Sequence, residues 1–286
     1  MINIKYFLQF IIIVFLFLIF KILGVRFSSF LGGKLFQIIG PAFRSKEIIN
    51  NNIKRAFPDL NSKEINKINS SMWNNYGRVF AEYIYMKNFR HGNLSKNISI
   101  EGEDILANIK KQNQKVIFIS GHFSNFELMA MQIDKLDLKI GAIYRPLNNI
   151  FLNKIMERIR KKYICNNQIK KGIGGLKELI KLNNEGYSTA LMIDQRVSQG
   201  IKSNFFNEEA FTTTVPAQLV KKFNIPVVPI FIERYEGIKF KMKIFKPVHF
   251  SVEDSIENIT ADLNKILEKM ILDNPNNWIW SHNRWK

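Results

Sequence analysis

The chain has 286 residues, 46% of them hydrophobic, enough to bury a substantial core and too many for a disordered protein. Forty-two Lys and Arg against 24 Asp and Glu leave a formal charge of +18, which favours anionic partners: nucleic acid, acidic lipid, a phosphorylated substrate or an acidic carrier protein. The single cysteine, Cys165, excludes an intramolecular disulfide and a cysteine-based zinc site and reads as a structural thiol.

The first element is apolar. Tyr6 to Phe20, "YFLQFIIIVFLFLIF", is interrupted only by Gln9 and extends through "KILGV" to about 20 residues, roughly 30 Å as a helix and enough to cross a hydrocarbon core. No small-x-small cleavage site follows, and "FSSFLGGKLFQIIGPAF" continues apolar, so a retained anchor is expected rather than a signal peptide. Lys21, Arg26, Lys34, Arg44 and Lys46 follow the span while Lys5 precedes it, a bias that puts the main domain on the cytoplasmic side.

Next, "RSKEIINNNIKRAFPDL" reads as a helix stopped by Pro58, and a second helix opens on the capping box Asn61-Ser62-Lys63-Glu64. From Ile98 short β-branched runs alternate with helical periods. Strands are expected at 116–120, 140–144, 189–193, 227–232 and 239–245; helices at 104–111, 125–136, 150–162, 175–182, 216–223 and 256–272. This alternation predicts an α/β fold, a mixed and mostly parallel sheet flanked by helices, with an N-terminal membrane-anchoring helix. The expected division is 1–44 for the anchor and juxtamembrane segment, 45–97 for a helical membrane-proximal part, and 98–286 for the α/β domain.

The stretch "VIFISGHFSNFELMAMQ" ends an apolar strand on Gly121-His122, with Glu127 at the start of a helix. Ligand crevices in such sheets lie beyond the carboxyl ends of the strands, where His122 falls. Five residues apart on one helix would separate the two side chains by about 140°, so they meet only if His122 lies in the turn before the helix. A neutral imidazole then takes a proton from an alcohol while the carboxylate fixes its tautomer. The bland alternative is a capping histidine and a solvated first-turn glutamate. Arg145, Asp194 and Gln195 also end strands. Arg145 suits a phosphate or developing oxyanion charge, and Asp194 either holds His122 or Arg145 or caps a loop. Thr212 in "NEEAFTTT" is a weaker candidate for the acceptor path, that segment reading otherwise as a polar loop. His282 is a rival base without a nearby carboxylate, and the three tryptophans of "NWIWSHNRWK" suit either a headgroup interface or the core.

"GHFSNFE" resembles the "GHFGNWE" signature of the bacterial lipid A biosynthesis acyltransferases, within the lysophospholipid acyltransferase-like superfamily and its His-x4-Asp/Glu motif. Further blocks fall in the family's order: "NNNIKRAFPDL", "YRPLNN", "ALMIDQ", "FFNEEAFTTT" and "PNNWIWSHNRWK". The resemblance spans nearly the whole chain. Ser124 and Asn207 stand where the family usually has Gly, Phe126 where it has Trp, and Arg196 where it often has an acidic or amide residue.

The resemblance implies an enzyme of the bacterial inner membrane, its catalytic domain on the cytoplasmic side, moving an acyl chain from acyl carrier protein to a hydroxyl of a lipid A precursor in lipopolysaccharide biosynthesis. His122 would be the general base and Glu127 its orienting partner, with Arg145, Asp194, Gln195 and Thr212 binding substrate. No cofactor and no metal are expected beyond acyl-acyl carrier protein as co-substrate. The expected partners are acyl carrier protein, an anionic phosphorylated glycolipid and the bilayer, with no nucleic acid. Lacking a protein nucleophile, the reaction would run through a ternary complex. The alternatives are an acyltransferase for another glycolipid or an aminolipid, and a membrane-tethered basic binding protein.

Overall fold

The computed structural model describes residues 4–286. Helix α1 (Ile4–Leu23) and α2 (Val25–Ile39) are separated at Gly24, whose φ of 76° lies in the left-handed region that ends a helix. Helix α3 (Lys46–Ala56) opens on a Ser45 cap and stops before Pro58. Helix α4 (Ser62–Glu82) opens on the expected capping box, with Asn61 and Glu64 each satisfying the other's backbone. A short α5 (Met86–His91) leads into the sheet.

The remaining elements alternate: β1 (Ile98–Glu101), α6 (Glu103–Lys111), β2 (Ile117–Ser120), α7 (Glu127–Lys135), β3 (Ile140–Tyr144), α8 (Ile150–Tyr163), β4 (Asn167–Lys170), α9 (Ile173–Asn184) and β5 (Ser188–Met192). The hairpin β6 (Ile201–Phe205) and β7 (Glu208–Thr212) follows, then α10 (Val215–Phe223), β8 (Val227–Glu236), β9 (Lys239–Ile244) and α11 (Ile256–Asp273). The main sheet has the order β1-β9-β8-β2-β5-β3-β4, parallel throughout except for the β8/β9 hairpin. A mixed, mostly parallel sheet flanked by helices is the expected α/β class.

The hydrophobic core is continuous from Ile49 and Ile53 on α3 to Trp278 and Trp280 near the C-terminus. β2 lies in the middle of the sheet and is buried along its length, as its unbroken apolar run requires. Its carboxyl end therefore opens between neighbouring strands rather than at an edge.

Helix α2 is inside-out for a water-soluble protein. Its buried positions are Ser28, Ser29, Gly32 and Gly33, while Phe27, Phe30, Leu31 and Ile38 are exposed. The small face lets α2 press on α4: a Cβ at Gly32 would stand 2.5 Å from the Gly77 carbonyl oxygen, and one at Gly77 would stand 1.9 Å from that of Gly32. Helix α1 exposes a second apolar face and is not a free stalk. Phe7 and Phe10 pack on Phe151 of α8, Phe17 and Phe20 pack on Phe80 of α4, and the Tyr85 hydroxyl donates to the Phe20 carbonyl.

Candidate active site

The parallel register of β2 and β5 pairs Ser120 with Met192, so two residues further on His122 and Asp194 come out opposite one another. The contact is direct. His122 Nδ1 lies 2.8 Å from Asp194 Oδ1, and the His122 backbone N–H donates to Oδ2 at 2.7 Å. Trp278 adds a third bond, its indole N–H donating to Oδ2 at 3.0 Å. The Asp194 side chain is fully buried and that of His122 is 19% exposed.

Burial opposes ionisation of Asp194, yet the adjacent His122 ring, the two His122 hydrogen bonds and the Trp278 N–H together hold its carboxyl below the usual carboxylate range. An ionised carboxylate only accepts, so in the neutral ring Nδ1 carries the proton and Nε2 the lone pair. Among the described residues Nε2 has no hydrogen-bond partner, so the basic nitrogen is open to a ligand. Gly121 permits the close packing of this turn, since a Cβ there would sit 2.9 Å from Phe123, 3.0 Å from Leu267 and 3.3 Å from Asp194 Oδ2.

The expected pairing of His122 with Glu127 is not the one formed. Glu127 opens α7, and its carboxylate is taken by Arg160 of α8, with Nε donating at 2.9 Å and a second bond from the same guanidinium. Phe126 turns toward the histidine instead, its ring meeting the imidazole edge-on at 4.7 Å between centroids. Arg160 also lies over the Tyr144 ring at 5.4 Å, and the Tyr144 hydroxyl donates to Glu157. Glu127 thus ties α7 to α8 and to the end of β3. Burial works against the Arg160 charge, but Glu127 and Tyr83 together more than restore it and the guanidinium is held above its ordinary range. Glu127→Gln is expected to cost about 2–4 kcal/mol in denaturant unfolding, because it strands a buried cation. It should leave in place the limb of the pH–rate profile that reports His122, and a displaced limb would restore a direct Glu127–His122 coupling.

The loop 121–126 is pinned from several sides. The Ser124 N–H donates to the Asn277 carbonyl, its Oγ accepts from the Arg234 N–H, and its carbonyl accepts from Asn75 Nδ2. Asn125 does not cap α7 with its side chain. It donates instead to Glu82, which is fully buried and also accepts from Ser29 Oγ and both terminal nitrogens of Arg234. Ser124 holds a φ of 43° and Asn207 one of 60°, so two departures from the family's usual glycines fall where left-handed backbone is required. The β6–β7 turn is the two residues Phe206 and Asn207, both at positive φ as a twisted hairpin demands.

The other candidates separate. Arg145 lies exposed beyond β3 beside Lys171, as the pairing of Tyr144 with Lys170 dictates. Gln195 follows Asp194 and is half-buried. Thr212 is not part of the crevice: it is the last residue of β7, buried, and its Oγ1 accepts from Arg284 at 2.7 Å and from Asn264 at 3.2 Å. "NEEAFTTT" is largely the second strand of a hairpin rather than a loop, and Thr212 locks that hairpin to α11 and the C-terminal segment. Trp278 and Trp280 are core residues in edge contact at 4.6 Å, while Trp285 stacks on Phe205.

His282 is no rival base, because its Nε2 already accepts the Arg196 backbone N–H at 2.9 Å. Burial pushes its pKa down to about 4, against the pull of Asp194 and with help from His122 when that ring is protonated and from the charges of Arg284 and Arg44. Unfolding frees it to bind a proton near pH 6.5, so stability is expected to fall as pH drops from about 6.5 toward 4 and to level below that. Discounted for its partial exposure, the loss is on the order of 1–2 kcal/mol. His282→Gln, which keeps an acceptor for Arg196, should flatten thermal unfolding midpoints over that window.

Residues 2–286 match the sequence profile of a family described as bacterial lipid A biosynthesis acyltransferase. The chain belongs to that family. This acyltransferase is 24% identical over 264 residues to a lipid A biosynthesis palmitoleoyltransferase of Escherichia coli (strain K12), covering 90% of this chain and 84% of the relative. It is 23% identical to a lipid A biosynthesis lauroyltransferase of the same organism, over 85% and 79% of the two chains. It is 26% identical to a lipid A biosynthesis acyltransferase of Haemophilus influenzae, over 89% and 81%. Among solved structures it aligns with the 1-acyl-sn-glycerophosphate acyltransferase of Thermotoga maritima at 13% identity and a TM-score of 0.41, over 90% of this chain and all of that one.

Proposed function

We propose that this acyltransferase moves a fatty acyl chain from acyl carrier protein to a hydroxyl of a lipid A precursor at the cytoplasmic face of the inner membrane. The observation that carries the chemistry is the imidazole held by Asp194 through Nδ1 with Nε2 open. Nε2 takes the proton of the acceptor hydroxyl as its oxygen attacks the thioester carbonyl. Asp194 stabilises the imidazolium that forms. The tetrahedral intermediate collapses with loss of the carrier thiolate, and the imidazolium returns the proton to that sulfur. The products are the ester and the free carrier thiol.

No covalent acyl-enzyme is needed. Cys165 is buried, beside Gln168 and Asp134, and burial pushes its thiol up to about 12, out of the range of a useful nucleophile. The orienting role belongs to Asp194, while Glu127 acts through Arg160 on the placement of α8 and the end of β3.

Membrane association is supported by the exposed apolar faces of α1 and α2. The small-residue packing of α2 on α4 is the arrangement expected where lipid, not water, solvates the large side chains. The excess of basic residues suits acyl carrier protein and an anionic acceptor alike. The test is mass spectrometry of lipid A from cells with and without the gene. The added mass of one acyl chain in the presence of the gene supports the assignment; identical lipid A sinks it and points to another lipid hydroxyl.

A further inference from the structure

Length alone lets α1 cross a bilayer; its contacts do not. A spanning anchor meets its domain at one end, whereas α1 is covered along its whole length. Tyr6, Phe10, Ile13, Phe17 and Phe20, spaced four, three, four and three apart, are half-buried or buried. Leu8, Ile11, Phe15, Leu18 and Ile22, spaced three, four, three and four apart, are exposed. The helix therefore keeps one face on protein and one face bare from its first turn to its last. The covered face is held at both ends. Phe10 packs on Phe151 of α8 and the Tyr6 carbonyl accepts from Asn149 at one end, while Phe17 and Phe20 pack on Phe80 of α4 at the other.

Upright in a bilayer, with Lys21 at the cytoplasmic surface, α1 would carry its Tyr6 end toward the opposite leaflet and take the start of α8 with it. Lys154 and Arg158, one and two turns into α8, are exposed and would face hydrocarbon, an expensive place for a charge. Laid flat, α1 meets no such cost. An interfacial helix needs somewhere other than lipid for its second face, and here the folded domain takes that face. Helix α2 extends the bare surface with Phe27, Phe30, Leu31 and Ile38, and its Phe36 shares the Phe80 ring with α1. Charge agrees. No acidic residue precedes Glu47, and Lys21, Arg26 and Lys34 are exposed along the two helices, where their long stems reach anionic headgroups.

We propose that α1 and α2 lie flat in one leaflet with their bare faces against its acyl chains, so that α1 does not cross the bilayer and Lys5 stays on the side of the catalytic domain. The connection from β3 to α8, where Leu147 and Ile150 are exposed, then sits at the surface of that leaflet. The inference rests on the reading of these helices as membrane-associated, and it adds their orientation and sidedness.

The test uses the full chain in vesicles of phosphatidylethanolamine and phosphatidylglycerol. Cys165→Ser removes the native thiol, and a spin label is placed in turn at Ile4→Cys, Ile11→Cys and Leu18→Cys, three exposed positions about 10 Å apart along the axis. Variants are compared only where circular dichroism matches wild type. Depth is measured by electron paramagnetic resonance from collisions with oxygen and with a water-soluble nickel chelate. The three depths should agree to within about 5 Å, one helical pitch. Ile11→Cys near the mid-plane, with the other two about 10 Å shallower, overturns the proposal. Sidedness is measured on Lys5→Cys, with Lys202→Cys on the exposed face of β6 as the reference for the catalytic domain. A membrane-impermeant maleimide should label both in inside-out vesicles and neither in spheroplasts; labelling of Lys5→Cys on the side opposite to Lys202→Cys overturns the proposal. Wild-type protein that does not float with the lipid vesicles refutes the membrane reading and the flat orientation together, whereas flotation with stepped depths refutes the orientation alone.

Discussion

Asp194→Asn is expected to lower acyl transfer by on the order of 10²–10⁴-fold, because it attacks the tautomer of His122 rather than the imidazole itself. The carboxylate accepts three hydrogen bonds, from His122 Nδ1, from the His122 backbone and from the Trp278 indole. An amide offers one accepting oxygen and one donating nitrogen to those three donors. If the oxygen faces Trp278 and the backbone, the amide donates to Nδ1, drives the ring proton to Nε2 and removes the base. If it faces Nδ1, two buried donors are left unpaired at about 1–3 kcal/mol each. Loss of rate should therefore come with a measurable loss of stability, and the two are separated by comparing kcat with denaturant unfolding. His122→Ala, which removes a part-exposed side chain, should abolish transfer at much smaller structural cost. A variant Asp194→Asn with a wild-type pH–rate profile would remove Asp194 from the mechanism.

Glu82→Ala should produce the largest loss of stability, about 3–5 kcal/mol. The carboxylate is fully buried and takes hydrogen bonds from Ser29, Asn125 and two nitrogens of Arg234, so its removal strands a guanidinium and an amide in the interior. In Glu82→Met/Arg234→Met neither charge remains, and the double variant should be more stable than the sum of the single losses predicts. The damage should reach catalysis. Asn125 belongs to the loop that presents His122 and is held by Glu82, while its neighbour Ser124 accepts from the Arg234 backbone N–H. Thermal unfolding of wild type, Glu82→Met, Arg234→Met and the double variant, with kcat on the folded fraction, checks both effects; additive losses would refute the coupling.

The apolar run ending at Ser120 and the helices after it were legible because each has a period and a stop signal. The capping box at Asn61 is complete in four letters, and strand 140–144 has its expected bounds. Strands β1 and β4 were not legible. "ISIE" and "NQIK" are four-residue edge strands with charged or amide side chains, and no continuous apolar run marks them. The hairpin β6/β7 was hidden because neither Phe206 nor Asn207 is the glycine that usually announces such a turn.

In the candidate site, His122 was legible from its place after a buried strand. Its partner was legible only as one of the alternatives open to Asp194, behind the nearer Glu127. Glu127 is near in sequence, but α7 carries its carboxylate away toward Arg160, whereas Asp194 lies 72 residues downstream and is brought in by strand register. That register follows from the adjacency of β2 and β5, and once the adjacency is known the equal overhang beyond Ser120 and Met192 picks out the pair. The same logic joins Arg145 to Lys171. Thr212 was misassigned because a polar, threonine-rich stretch looks like a loop until its hairpin partner is found.

The central claim is that the His122–Asp194 pair activates a lipid hydroxyl against a carrier thioester. The direct measurement incubates purified protein with acyl-acyl carrier protein and a lipid A precursor, and follows the lipid by mass spectrometry and the carrier thiol by titration. Wild-type protein should add the mass of one acyl chain and release one thiol per ester formed. Folded His122→Ala, verified by circular dichroism, should do so slower by at least about 10²-fold. Acyl transfer by His122→Ala at the wild-type rate would contradict the account.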